Sequence, residues 1–376
     1  MERVLITGGA GFIGSSLALR LLAKNYKVTV LDNLSPQIHG DNYENSYTFN
    51  RIKGKVDFIH GDVVNSTDWD DALKDVDVVV HLAAETGTGQ SMYEVEKYVN
   101  TNINGTAILL DKLVNDDKLI VKKLVVASSR SIYGEGKYKC AEHDVVYPES
   151  RREDYMSKGD FEVKCPECDK TVSMLDTDES SKSHPASVYG YTKKAQEEMS
   201  LLVGASIGLS VVALRFQNVY GPGQSLKNPY TGILSIFSTQ VKNGNDINIF
   251  EDGKESRDFV YIDDVVDAII LGIETEQTGV FNVGSGELTD VTTVASTLAK
   301  KYGAKVNIKI SGNYRLGDIR SNIADLTNIK HQLGYEPKVN FKDGISNFVN
   351  WVESQAVEED RYSVSIKEMK EKGLYK

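Results

Sequence analysis

The chain of 376 residues holds only three cysteines, seven prolines and two tryptophans. Three thiols, an odd number, do not make a disulfide framework. A reducing, cytoplasmic setting is therefore expected. No apolar run is long enough to span a bilayer, and the start "MERVLITGG" enters a strand pattern without the features of a signal peptide. Basic residues are in deficit, 43 Lys and Arg against 54 Asp and Glu, for a net charge of −11. That excludes a general nucleic-acid or anionic-membrane binder, whose surface would be basic. It leaves room for a small anionic ligand held by a few arginines. Internal repeats and low-complexity runs are also missing. What remains, 40% hydrophobic and 26% charged, is ordinary globular composition. The length suits two or three domains, or one large domain with an appendage.

The most informative stretch is "VLITGGAGFIGSSLALRLLAKNYKVTVLDN". Val4–Thr7 reads as a short buried strand. Gly8, Gly11 and Gly14 follow at GxxGxxG spacing, then an apolar-periodic helix to about Ala23 and a second strand ending at Asp32. Gly8 permits the tight turn, Gly11 lets backbone approach a pyrophosphate, and Gly14 lets helix and strand pack closely. The helix N-terminus, with Phe12 and Ile13 beside it, offers unpaired N–H groups to phosphates. Asp32 stands 18 residues beyond Gly14, placed to accept bonds from the adenosine ribose, and Asn33 follows it. A carboxylate there repels a 2′-phosphate, so NAD is expected rather than NADP. A glycine-rich turn alone would be weak evidence; strand, helix and acidic strand end in order make it strong.

Further strands are read in "VDFIHGDV", with Asp62 and Val63 near the adenine, in "VDVVVHLAA", ending in Leu82, Ala83 and Ala84, in "VKKLVVASS" and in "LSVVALRF". Helical segments separate them. The fold class is therefore α/β, a Rossmann-like doubly wound parallel sheet with ligands at the carboxyl ends of its strands.

Two segments carry candidate chemistry. "LVVASSRSIYG" ends a strand with Ser128, Ser129 and Ser131. "SVYGYTKKAQEE" supplies Tyr189 and Lys193, one helical turn apart and so on one face. A tyrosine with a pKa of about 10 is a poor base at neutral pH. A neighbouring ammonium and a positively charged nicotinamide would both favour its phenolate. Ser129 would share the proton and orient the substrate oxygen. The set suits hydride transfer at a carbinol, with Tyr189 moving the hydroxyl proton. Alone, Tyr-x-x-x-Lys is more often an aromatic packed under a solvated lysine; beside the glycine turn and the serine strand end, catalysis is the better reading.

These motifs, with "TGGAGFIG", "HLAA", "NINGT", "YGYTK", "LRFQNVYGPGQ", "RDFVYIDDVVDAI", "FNVGSGE" and "LGDIRSNIAD", resemble the extended short-chain dehydrogenases/reductases of the nucleotide-sugar epimerase/dehydratase group over about residues 1–350. The resemblance implies hydride abstraction at C4 of a nucleoside-diphosphate sugar, with NAD regenerated at each turnover. The 4,6-dehydratases of the group carry Asp-Glu after the residue matching Ser129; here Arg130 and Ser131 stand there. Decarboxylating relatives have Glu at the Ser131 position, and 3,5-epimerising relatives need a cysteine base that is missing. Simple 4-epimerisation remains. By the same resemblance Asn218 holds the pyrophosphate region, Arg257 and Arg315 clamp the diphosphate, Asn102 is a structural or substrate-side residue, and "QSLKNPYTGILSIF" runs under the base. Thr86, Ser129, Arg130 and Ser131 are expected against the sugar. Asn322 stands where bacterial galactose epimerases have a tyrosine gate, which alters how much sugar the pocket accepts. "DNLSPQIHG", "TGTGQSMYEVEKYV", "YGEGKYKCAEH" and "NPYTGI" resemble bacterial dTDP-L-rhamnose 4-epimerases, which make dTDP-6-deoxy-L-talose. UDP-sugar 4-epimerases use the same machinery, and an NAD-dependent reductase or dehydrogenase that releases its cofactor is a further alternative. A non-catalytic NAD sensor would be expected to have lost Tyr189 or Lys193. Helices starting near Met92 and Val188 imply a homodimer through a four-helix interface.

The implied organisation is a nucleotide-binding part at 1–217 with a returning segment at 257–275, a smaller interleaved sugar-binding part at 218–256 and 276–350, and a charged helical tail at 351–376. An insert at 137–184 separates Ser129 from Tyr189 and collects every thiol. Cys140 and His143, then Cys165 and Cys168, form Cys-x-x-His and Cys-x-x-Cys pairs separated by 21 residues. That spacing fits a closed tetrahedral zinc site of the ribbon type; a redox pair at Cys165 and Cys168, or plain reduced thiols, are the alternatives. Asp169 follows Cys168, where such knuckles favour glycine, although Asp tolerates the left-handed conformation better than most.

Overall fold

The apolar runs form seven parallel strands: β1 (Arg3–Thr7), β2 (Lys27–Asp32), β3 (Asp57–His60), β4 (Val78–His81), β5 (Lys123–Ser129), β6 (Ser210–Phe216) and β7 (Gly279–Val283). They lie side by side in the order 3-2-1-4-5-6-7, all paired in parallel. The computed structural model describes residues 2–230 and 232–376.

Period-two alternation distributes the side chains between two cores. Val4, Ile6, Val30, Val80 and Val125 point to one face, against Leu17 and Leu21 of the helix Phe12–Ala23 and Val265 and Ile269 of the helix Ile262–Glu274. Leu5, Leu31, Val79 and Leu124 point to the other, against Trp69, Leu109 and Leu110. Both faces are covered, which is why these strands read as continuous apolar runs. The strand order reverses between β1 and β4, and a crevice opens there at the carboxyl ends.

The six strands read from the sequence are all present. The seventh, β7, lies in the segment assigned to the sugar-binding part, so the returning segment of the large sheet runs past 275 to Val283. It is a short edge strand that pairs only with β6 and starts at a glycine, which left it without a strand pattern of its own. The helix expected near Met92 is also different. The chain makes short turns at Thr88–Ser91 and Val95–Tyr98, a π-helical stretch Val99–Asn104, and then the α-helix Gly105–Asn115. Tyr189 and Lys193 sit on the helix Val188–Ile207, whose N-cap Ser187 accepts the Gly190 N–H at 3.1 Å and whose end turns at Gly208, φ +72°.

The rest of the chain builds on the β6–β7 side. Asn218–Tyr220, Leu288–Asp290 and Ser321–Asn322 pair around the strand Ser256–Tyr261. Ile247–Ile249 pairs with Ile308–Ile310. The insert folds as a three-stranded antiparallel sheet, Tyr138–Cys140 between Asp144–Val146 and Ser173–Met174. Arg151 moors it. Its Nη1 and Nη2 donate to Glu251 at 2.6 and 2.7 Å, its Nε to Glu135 at 3.1 Å, and the remaining protons to the carbonyls of Phe161 and Asp318. All three charged side chains are buried, and burial raises the Glu135 carboxyl above its usual range while Arg151 pulls it back.

The charged tail is no free appendage. A helix Tyr362–Glu371 packs back with Met369 buried, and Glu368 accepts hydrogen bonds from the hydroxyls of Tyr93 and Tyr230. The last residues pair with Tyr314 and Leu316 and bury Tyr375. Among the described residues no helix is long and apolar enough to cross a membrane.

Candidate active site

The crevice holds a cavity of about 640 Å³. Its floor at one end is the turn after β1. Gly8 has φ +66°, and a Cβ there would meet the Ala83 amide nitrogen at 2.9 Å; a Cβ on Gly14 would come within 2.5 Å of Gly8 O and Gly9 Cα. Gly8 is therefore required by the turn and Gly14 by the close approach of helix to turn. Gly11, Phe12 and Ile13 line the cavity with them, as do Asp32 and Asn33 from the end of β2, Asp62 and Val63 beyond β3, and Leu82, Ala83 and Ala84 beyond β4.

Asp32 is locked in place: one oxygen accepts from the Ala10 N–H at 2.9 Å, the other from Leu34 N–H at 2.8 Å. Burial holds its carboxyl above the usual range, against the pull of His39, whose Nε2 lies 3.8 Å away. His39, itself held by Ser46 at 2.8 Å, also lines the cavity. The sequence reading missed it, because a lone histidine in "SPQIHG" carries no periodic signal. Asn33 Nδ2 donates to Asp62 at 2.9 Å, joining the two acidic strand ends.

At the other end of the cavity lie Ser129, Arg130, Ser131, Tyr189, Lys193 and Asn218, with Thr86 on the loop after β4. Ser129 Oγ accepts from the Ser131 amide at 3.2 Å and its hydroxyl at 3.0 Å. Arg130 Nε donates to Asn218 Oδ1 at 3.1 Å. Lys193 Nζ donates to Ala127 O at 2.9 Å, inside the sheet end, and burial pushes its ammonium down to about 7. Burial likewise raises the Tyr189 phenol; a hydrogen bond with Ser129 and the charge of Arg130 favour its phenolate without overcoming burial. Tyr98 packs its ring edge-on to Tyr189, centroids 6.4 Å apart, and ties its hydroxyl to Thr86 O at 2.6 Å.

Beneath this set runs a buried network that the sequence reading did not name. Ser128 Oγ donates to Glu197 at 2.5 Å, Arg215 Nε and Nη2 hold the same carboxylate at 3.0 and 2.5 Å, and Arg215 Nη1 donates to Tyr133, which donates to Asn282. Two signals were present. Glu197 is one turn beyond Lys193 on the same helix face, and Arg215 interrupts an apolar strand, where an arginine needs a partner. Asn102 has a structural place: it bonds the backbone of Glu85 both ways, at 2.8 and 3.1 Å, and Thr192 at 2.9 Å.

Arg257 and Arg315 are not among the residues that line this cavity. The Arg257 guanidinium is used by the carbonyls of Ser256, Ile319 and Arg320, and Arg315 is paired with Asp318 at 2.7 Å. Arg257 still acts at short range, since its charge, after burial, pushes the Arg130 guanidinium down to about 9. Asn322 is likewise engaged, accepting from Gln217 at 3.1 Å and donating to Thr177 at 3.3 Å. Of the segment expected under the base, Gln224, Ser225, Leu226, Lys227, Tyr230 and Gly232 line the cavity; Thr231 lies outside the described residues. Trp351, Gln355 and Glu358, beyond the expected sugar-binding part, line it too.

Residues 5–151 match the family described as GDP-mannose 4,6 dehydratase, and residues 165–284 the NAD dependent epimerase/dehydratase family. A dTDP-L-rhamnose 4-epimerase of Burkholderia thailandensis is 38% identical over 93% of this chain and 95% of its own. The UDP-glucose 4-epimerase of Thermotoga maritima, solved with UDP-glucose, superposes with a TM-score of 0.76 at 30% identity, covering 93% of this chain and 98% of that one. The UDP-glucuronic acid 4-epimerase of Bacillus cereus, solved with UDP-glucuronic acid and NAD, gives 0.73 at 27% identity, over 93% of this chain and 99% of its own. With the strand order, the glycine turn and the Ser129–Tyr189–Lys193 set in one cavity, these likenesses establish that the chain is an enzyme of the NAD-dependent epimerase/dehydratase family.

Proposed function

We propose that the protein inverts C4 of a nucleoside-diphosphate sugar, with dTDP-L-rhamnose as substrate and dTDP-6-deoxy-L-talose as product. The observation that carries this reading is one cavity with the glycine turn and Asp32 at one end and Ser129, Tyr189 and Lys193 at the other, with no carboxylate at 130 or 131. The residues fit NAD: a cradle that a Cβ at Gly8 or Gly14 would obstruct, and a fixed carboxylate where the ribose hydroxyls belong. Held there by the glycine turn and Asp32, NAD would supply the hydride acceptor and donor for C4.

Tyr189 takes the proton of the C4 hydroxyl and returns it, and Ser129 orients the oxygen between them. Arg130, held by Asn218, supplies positive charge beside the phenol. The dehydratase route needs an acid and base over C5 and C6, and neither Arg130 nor Ser131 can act as a carboxylate. The ketosugar therefore turns over and accepts hydride on its other face. In this reading the large sheet carries the cofactor and the segments after Asn218 carry the nucleotide sugar, in a cytoplasmic homodimer. Exposed Val95, Val99, Tyr191 and Leu202 on the two helical segments support that pairing, Leu202 being 73% exposed. A UDP-glucose or UDP-galactose type substrate is the second reading, favoured by the Thermotoga likeness.

Incubating the protein with dTDP-L-rhamnose, and separately with UDP-glucose, while following C4 inversion by NMR tests the reading. Inversion of the dTDP sugar without net NADH is expected. Inversion of UDP-glucose alone moves the assignment to the second substrate, and NADH accumulating with turnover rejects the epimerase.

Asp32→Asn removes the charge that excludes a 2′-phosphate and weakens the ribose contact. NAD affinity is expected to fall about 10-fold or more, the scale of one hydrogen bond to a charged group, while NADP gains relative to NAD. Titration calorimetry with both dinucleotides measures the change.

A further inference from the structure

The insert between Ser129 and Tyr189 gathers four metal-ligating side chains that the reaction does not use. We propose that Cys140, His143, Cys165 and Cys168 bind one structural zinc ion. Their ligand atoms all lie within 4.8 Å of one another. Three of the six separations have the dimensions of a coordination tetrahedron. An ion with sulfur at about 2.3 Å and imidazole nitrogen at about 2.0 Å sets sulfurs about 3.8 Å apart and sulfur and nitrogen about 3.5 Å apart. Cys140 Sγ is 3.7 Å from Cys168 Sγ and 3.6 Å from His143 Nδ1, and Cys165 Sγ is 3.6 Å from the same Nδ1. Three thiolates and one imidazole in that geometry select zinc among the common divalent ions.

The backbone is shaped for the same purpose. Each ligand pair sits on a tight loop, and the residue after the second ligand is left-handed in both: Asp144 with φ +57° and Asp169 with φ +62°. The missing glycine after Cys168 is thus replaced by an Asp that adopts the required conformation. The Glu142 amide donates to Cys140 Sγ at 3.4 Å, and the Asp169 amide closes back on Cys165 O at 3.0 Å. The ring nitrogen of His143 that faces away from the thiols, Nε2, lies 3.7 Å from Glu167, the kind of outer partner that fixes the tautomer of a metal-bound histidine.

The physical need is plain. The hydrophobic cluster of the insert consists of Tyr138, Val146, Val163, Val172 and Met174 with the cysteines themselves. A core so small does not hold a polar segment without a staple, and metal binding supplies folding free energy directly. None of the four ligands lines the large cavity, and four protein ligands leave no position for water. The ion is therefore structural, and its presence does not depend on which sugar the enzyme takes.

Elemental analysis of full-length protein purified without chelator tests this, together with thiol titration and cobalt exchange. One zinc per chain is expected, with the three thiols slow toward Ellman's reagent until a chelator removes the ion. Cobalt in its place is expected to give the intense visible bands of a tetrahedral three-sulfur site. Cys165→Ser and His143→Ala are each expected to lower zinc at least tenfold after dialysis. Wild-type protein with no stoichiometric metal and three immediately reactive thiols overturns the proposal, whatever the variants do, and so does stoichiometric iron.

Discussion

Tyr189→Phe is expected to lower kcat for C4 inversion by about 1,000-fold, within the range assigned to a positioned acid–base group, or roughly 4 kcal/mol of barrier. The change removes one oxygen and leaves the ring, its edge-on contact with Tyr98 and the Ser91–Tyr189 backbone bond in place. Substrate affinity, by calorimetry, should change less than about threefold, and the melting temperature should not fall, since the buried hydroxyl is lost with its desolvation cost. The pH profile adds a separate signature. Burial holds the Tyr189 phenol above its ordinary value, so at neutral pH it is mostly protonated in the protein alone. A rate that needs the phenolate rises with pH, and the residual rate of the Phe variant should lose that limb. A variant within tenfold of wild type would remove Tyr189 from the reaction.

The second large effect is on stability. Arg151→Met should destabilise the protein by about 3 kcal/mol or more, the cost of leaving buried charge uncompensated when one partner is removed. Glu251 loses both arms of a fork at 2.6 and 2.7 Å, and Glu135 loses its contact at 3.1 Å. Neighbouring Arg320 offsets part of the loss through its backbone bond to Glu135 and a 3.4 Å contact to Glu251. Arg151→Lys, with a point charge in place of a fork, should fall between. Urea denaturation of the three proteins reads the series; equal midpoints would show that the buried pairs contribute no net stability.

Much of the fold was legible because its signals are local. A glycine turn followed by a helix, and strands buried on both faces, write themselves as spacing and as apolar runs. That is why β1 to β6 and the cavity residues from Gly8 to Ala84 fell where the sequence placed them. What was not legible shares a different cause. The Arg257 guanidinium, for instance, is held by the carbonyls of Ile319 and Arg320, which lie 62 and 63 residues further along the chain. Glu197, Arg215 and Tyr133 are partners only after three elements have met. The docking of Met369 and Glu368 likewise depends on surfaces far away in sequence. Spacing within one element survives reading; pairing between elements does not.

The insert leaves and re-enters the chain at almost one point. The His184 amide donates to Ile132 O at 2.7 Å, and Ser183 Oγ donates to the same carbonyl at 3.3 Å. The excursion is thus a closed loop whose ends already touch, so the distance from Ser129 to Tyr189 is set by the stitched neck and not by what hangs from it. Such a neck makes the insert a unit that evolution can lengthen, shorten or re-equip without resetting the catalytic geometry. The cost falls elsewhere: Glu251, on the sugar-binding side, has Arg151 as its forked partner, and any exchange of the insert must bring a cation for it.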